Sequence, residues 1–309
     1  MAWVLGLRET TRGILWALLG TFLFTFVFAS GKLLGGEVSA LQILFLRYVS
    51  GFATVLTLAA RSKIGLAAHI SRRPQWHFAR ALCGAFGGVC AIHAATVMPV
   101  ADATAIGLTE GVLIMLLAIV FLGERVSAPH WIAAILSALG ALIVVRGGAG
   151  PSEAASASAF GEGALFAFLG AVLIAAESIL IKLLAKWESP RAVILHVNFF
   201  GLLLLATPAL WVWTPLAGWQ LALCIGLGPL AITAQYCWIQ SYRHADAALV
   251  APIGYTWIVF AALLGVLAFG ELPTWATVIG SLLICAGGVM LTRLPELRTR
   301  DAADRRGCG

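Results

Sequence analysis

Apolar runs dominate this chain, and most charged residues fall in the short gaps between them. Bounded by Gly, Pro or charge, the runs predict ten helices near 12–34, 40–60, 77–97, 101–122, 129–146, 161–184, 192–213, 219–241, 246–269 and 274–293. Each approaches the roughly 20 residues that cross a bilayer as a helix. The first run follows Arg8 and Arg12 and ends in Phe28-Ala29-Ser30-Gly31, as a signal peptide would. Its apolar stretch is longer than an h-region and nine more runs follow, so we read it as retained. One gap is long: Gly147 to Phe160, rich in Gly, Ala and Ser, near the middle of the chain.

Composition supports the membrane reading. Of 309 residues, 61% are apolar and 11% charged, with a mean hydropathy of +0.97. Soluble globular chains carry about 45–50% and about 25%. A soluble enzyme, a disordered regulator and a secreted disulfide scaffold are excluded. An all-α integral membrane fold is expected, with no large soluble domain. The six cysteines show no CxxC spacing and no histidines complete a metal set; the five inside apolar runs, Cys83, Cys90, Cys224, Cys237 and Cys285, read as small buried hydrophobes, and Cys308 sits in a polar tail. No metal or cofactor is expected.

The net charge of +6 is explained by placement. With the N-terminus in the cytoplasm, the cytoplasmic segments hold 17 of the 20 Lys and Arg residues, including Arg61, Arg72, Arg73, Arg80, Arg125, Lys182 and Arg243. The outer side holds Lys32 and Arg146, and Arg47 lies within a span. That bias orients the chain with both termini in the cytoplasm. The basic residues then determine topology and attract anionic lipid, and nucleic acid is not an expected partner.

The two halves repeat each other. Gly13–Leu34 and Gly163–Leu184 match at nine of 22 positions at an offset of 150, including Gly20/Gly170 and Lys32/Lys182. Gly123-Glu124 pairs with Gly270-Glu271 at an offset of 147, as do Gly140/Gly287 and Arg146/Arg293. Ala101-Asp102-Ala103 returns as Ala245-Asp246-Ala247. We expect a first five-helix repeat over 1–146, a linker over 147–160, a second repeat over 161–293 and a basic cytoplasmic tail over 294–309. Five spans per repeat is odd, so the second copy is inverted. Two inverted five-helix repeats, with a site near the midplane where they meet, form a secondary-transporter pattern.

The segments VADATAIGLTEGVLIMLLAIVFLGERVSAPHW and HADAALVAPIGYTWIVFAALLGVLAFGELPTW resemble the ten-helix EamA-like branch of the drug/metabolite transporter superfamily. The resemblance covers nearly the whole chain. Its marker is a helix ending in Gly-Glu, here Gly123-Glu124 and Gly270-Glu271. It implies a multi-pass metabolite carrier of the plasma (inner) membrane. Its substrates would be amino acids, nucleotide-sugar-like or vitamin-like metabolites, or toxic organic ions. It also implies that Glu124 and Glu271 are structural, hydrogen-bonding backbone amides at the start of the next helix. Where the first repeat often carries Pro, this chain has Gly111, preceded by Glu110.

Polar residues inside spans mark candidate chemistry, because a carboxylate at bilayer depth costs about 2.5–3.5 kcal/mol on insertion scales. Glu110 and Glu177 are candidates for a substrate pathway or for holding an exchangeable proton, with a structural hydrogen bond as the alternative. Arg47 could clamp a substrate carboxylate, neutralise one of those glutamates, or snorkel outward. His93, and His196 with Asn198, are candidate relay groups. Gln235, Tyr236 and Gln240 lie in the eighth span and Tyr255 and Trp257 in the ninth. Trp16 and Trp257 lie deeper than the interfacial tryptophans and could wall an organic substrate. Asp102 and Asp246 read as N-caps. Gly84-x-x-x-Gly88 and Gly107-x-x-x-Gly111 suggest close packing of the third and fourth spans. Pro229 and Pro252 can break helical hydrogen bonds.

There is no HExxH, GxSxG, paired-Asp or Walker A motif, which disfavours a membrane enzyme and a primary pump. A channel fits internal inversion poorly. The expected function is secondary transport of a small organic metabolite by alternating access. Export of amino-acid-like compounds, with or without exchange for protons, is the first reading. Uptake of a vitamin- or nucleoside-like compound of the riboflavin or S-adenosylmethionine type is the alternative. A homodimer and a monomer are equally compatible with the sequence.

Overall fold

The computed structural model describes residues 9–34, 38–61, 70–97, 106–107, 109–124, 126–148, 157–269 and 274–293. Among them lie ten principal helices and no strands. They are α1 (Glu9–Leu33), α2 (Ala40–Ala60), α3 (Pro74–Val97), α4 (Thr109–Leu122), α5 (Ala128–Gly148), α6 (Ala157–Trp187), α7 (Pro190–Trp211), α8 (Gly218–His244), α9 (Thr256–Phe269) and α10 (Trp275–Arg293). Six stretches are long and apolar enough to cross a membrane; one of them, Ala247–Ala268, runs through α9. Shorter apolar helices lie at Thr109–Leu122, Ala128–Ile143 and Trp275–Met290. Large apolar side chains face outward, among them Val120, Phe121, Leu267 and Leu282. An outer surface of this kind suits lipid as solvent.

The ninth span is interrupted. A turn of α-helix, Ala247–Val250, passes into a 3-10 stretch, Ala251–Tyr255, before α9 begins. Pro252 lies in that stretch and supplies no N–H to a helical ladder. Pro208 and Pro229, by contrast, sit inside continuous helices.

The repeat is visible in the packing. Helices α4 and α9 are each 14 residues long and begin at Thr109 and Thr256, 147 residues apart. Among the most extensive helix pairs are α3 with α6, α5 with α10, and α8 with α1, the last being the repeat-related counterpart of the first. Pairs α5–α10 and α2–α7 join a helix to its own repeat mate.

The crossing points obey the same exchange. A Cβ on Gly51 would meet Asn198 Oδ1 at 2.6 Å, and one on Gly201 would meet the Tyr48 ring at 2.6 Å. Residues 48 and 198, and 51 and 201, are repeat mates. Likewise Gly140 faces Gly280 and Ile284, while Gly287 faces Ala133 and Ser137. Small residues let the backbones approach closely enough for dispersion to hold them together. The expected tight α3–α4 packing is not found among the described residues. Gly88 and Gly107 have nothing within 4 Å of an added Cβ, Gly84 faces Glu177, and Gly111 faces the Tyr255 hydroxyl. That hydroxyl occupies the space a side chain at position 111 would need.

Candidate functional site

The middle of the bundle holds charge from four helices of both repeats. Glu177 on α6 pairs with Arg80 on α3, with Nε 3.5 Å from Oε1. Arg80 is 2% exposed, and its Nη1 donates to the Val193 carbonyl at 3.5 Å. Glu177 also lies within electrostatic reach of Arg47 on α2 and of Glu110 in the first turn of α4. Gly84 makes room for the pair: a Cβ there would lie 2.6 Å from Glu177 Oε2. Arg47 is buried and does not snorkel. Its guanidinium lies 4.0 Å from the Tyr48 ring centroid. Tyr242 and Tyr255, both buried, are within electrostatic reach of Glu110. Repeat mates of Arg80 and Glu177 are Leu227 and Val27, both buried and apolar. The symmetric scaffold therefore carries an asymmetric polar centre.

Reading Arg80 as a charge of the cytoplasmic segments is corrected by this geometry: it lies inside α3. Lys182 needs the same correction. It is buried in α6, donates to the Ala245 carbonyl and lies 3.7 Å from Asp246 Oδ1. Both residues fall within predicted spans, and that position was the signal available in the sequence.

A second polar group closes one end of the bundle. Gly123 ends α4 with φ +67°, a left-handed conformation that a side chain would strain. Glu124 is thereby turned inward and is 2% exposed. Its two oxygens accept from the Ala247 and Ala248 N–H groups, each at 2.9 Å. Glu124 thus bonds helix-start amides, but of the ninth span rather than of the next helix, α5. Asp246 occupies the N-cap position of that helix and makes no side-chain cap hydrogen bond; Glu124 supplies the acceptors instead. At the same end His244 Nδ1 lies 2.5 Å from Glu9 Oε2. Asp102 and Glu271 lie outside the described residues.

Other candidates are distributed. Asn198 Nδ2 donates to the Ile194 carbonyl at 2.8 Å and to Gln235 Oε1 at 3.3 Å, forming a buried α7–α8 pair. Trp16 meets Tyr236 edge-on at 6.0 Å, and Gln240 Nε2 donates to the Tyr236 hydroxyl at 2.7 Å. Trp257 packs on Ala141, Tyr255, Ile258 and Ile284. His93 sits apart, 2.9 Å from Glu162 Oε1, roughly 20 Å along α3 from Arg80. His196 stacks on His77 at 4.4 Å near the start of α3, and His77 was not anticipated from the sequence.

The model of the EamA-like transporter family matches residues 11–146 and 161–293. The pseudopaline exporter CntI of Pseudomonas aeruginosa (strain UCBPP-PA14) is 29% identical over 286 residues, covering 91% of this chain and 96% of its own length. The riboflavin transporter of Rhizobium johnstonii is 30% identical over 259 residues, covering 82% of each chain. The S-adenosylmethionine uptake transporter of Rickettsia prowazekii is 23% identical over 278 residues, covering 90% of this chain and 91% of its own. A solved crystal structure shares the fold, with a TM-score of 0.77 at 22% identity over 92% of this chain and 99% of the other. The exchanged packing of the two halves and these matches lead to one assignment: this multi-pass membrane protein belongs to the EamA-like transporter family, within the drug/metabolite transporters.

Proposed function

We propose that this chain is a secondary active exporter of small, amino-acid-like metabolites. It sits in the plasma (inner) membrane with both termini in the cytoplasm and works by alternating access. The observation that carries this reading is the cluster of Arg47, Arg80, Glu177 and Glu110, drawn from helices of both repeats, with both arginines buried. Charges at such depth are costly, and in membrane proteins they characteristically mark substrate or ion pathways. Glu110 holds the exchangeable proton. It lies in the first turn of α4, within electrostatic reach of Glu177. The end closed by Glu124 and Lys182 is the cytoplasmic one.

Uptake of a vitamin- or nucleoside-like compound is the second reading, favoured by the riboflavin and S-adenosylmethionine relatives. Proteoliposomes loaded with pooled radiolabelled amino acids, nucleosides and vitamins under an imposed pH gradient separate the two. Amino-acid flux opposite to the proton gradient supports export. Vitamin or nucleoside flux along it supports uptake. The Glu110→Gln protein is expected to keep solute exchange and lose its response to the gradient; an unchanged response would remove Glu110 from coupling.

A further inference from the structure

Two buried arginines lie near one carboxylate, and they are not equivalent. Arg80 is engaged by Glu177 and by the Val193 carbonyl. Arg47 is 6% exposed, and its Nε, like that of Arg80, makes no hydrogen bond; Arg80 Nε differs in lying 3.5 Å from Glu177 Oε1. The near contact of the Arg47 guanidinium is the Tyr48 ring face, and among the described residues its counter-charge is Glu177 at longer range, with no hydrogen bond between them. A guanidinium offers five donors and a full charge, and buried charges are ordinarily paired. Packing does not explain the residue either. Its repeat mate is Val197, 2% exposed, and the α2–α7 crossing is made by Tyr48 with Gly201 and Asn198 with Gly51. The scaffold accepts an apolar side chain at this place in one half and, in the other, carries a cation with no hydrogen-bonded carboxylate among the described residues.

We propose that Arg47 receives a carboxylate of the transported solute, which makes carboxylate-bearing metabolites the substrate class. This rests on the transport reading above. The two carboxylate oxygens match the guanidinium fork in a parallel pair of hydrogen bonds, a geometry that lysine cannot reproduce. Tyr48 holds the guanidinium plane from one side, so the fork is oriented before the solute arrives. Glu177 is engaged by Arg80 and reaches Arg47 only at longer range, so the Arg47 fork has no hydrogen-bonded carboxylate of its own among the described residues.

The test compares competition with stability. Proteoliposomes carry labelled pooled amino acids, and unlabelled amino acids or their carboxamides are added in excess. Free acids are expected to compete and carboxamides not. Arg47→Gln should lower flux at least tenfold, with Arg47→Lys in between. The same Arg47→Gln protein, without solute, should unfold at the same or a higher temperature, because it loses a buried charge that has no hydrogen-bonded carboxylate. Equal competition by carboxamides, retained flux in Arg47→Gln, or a lower unfolding temperature would each overturn the proposal. The last outcome would make Arg47 a structural partner of Glu177. If the wild type moves none of the pool, the amino-acid reading fails separately. A benzoate-induced rise in unfolding temperature then decides Arg47: a rise in wild type but not in Arg47→Gln upholds the proposal, and no rise overturns it.

Discussion

Glu124 caps a helix that begins 123 residues later in the chain. Removing the carboxylate in Glu124→Ala strands two buried N–H groups, each at about 1–3 kcal/mol. Thermal unfolding in detergent should show a clear drop, and Glu124→Gln, with one carbonyl acceptor, should recover part of it. An unchanged midpoint for Glu124→Ala would mean that other groups satisfy those amides. The Gly-Glu pair was legible as a helix end, because glycine and a helix-terminal carboxylate are local signals. Its partner was not legible, since no spacing rule connects residue 124 with 247. Arg80 shows the same limit. Hydropathy cannot distinguish a cation at the mouth of a span from one turned inward toward a glutamate 97 residues away.

At the scale of the element, paired glycines set how closely helices approach. Gly140 and Gly287 occupy equivalent places on α5 and α10, so Gly140→Leu and Gly287→Leu should be similarly damaging. Overpacking costs typically about 1–3 kcal/mol and sometimes more. Gly88, with open space around it, should accept Ala without loss. Size-exclusion profiles and unfolding midpoints of the three proteins check this, and a Gly88→Ala protein as impaired as the other two would refute it. The sequence showed Gly140/Gly287 as a repeat pair but suggested Gly84 and Gly88 as a helix contact. A small-xxx-small pattern records available space, and here a carboxylate fills it at Gly84. The break at Ala251–Tyr255 was foreseeable from Pro252, whereas Pro229 is absorbed within α8.

At the scale of the whole molecule, helix packing runs almost entirely between the repeats: α1 with α8, α2 with α7 and α8, α3 with α6 and α7, and α5 with α10. Ten spans and their inverted repetition were legible, because period and parity are properties of the string. Interleaving was not, because each repeat alone looks like a self-contained bundle. Residues 1–150 and 151–309 expressed separately should each be degraded, and together should restore folded protein. Accumulation of either half alone, read by immunoblot, would contradict this.

The interleaving also affects biogenesis. At about 5–20 residues per second, the second half follows the first by roughly 8–30 s. During that interval Arg80 has no Glu177 and Gly140 has no α10, so both wait in lipid or within the insertion machinery. Yield in cells should then depend on translation tempo and on protection of the half-made chain as well as on the stability of the finished protein. Slowing elongation just after the linker should expose the first half to membrane proteases before its partners arrive.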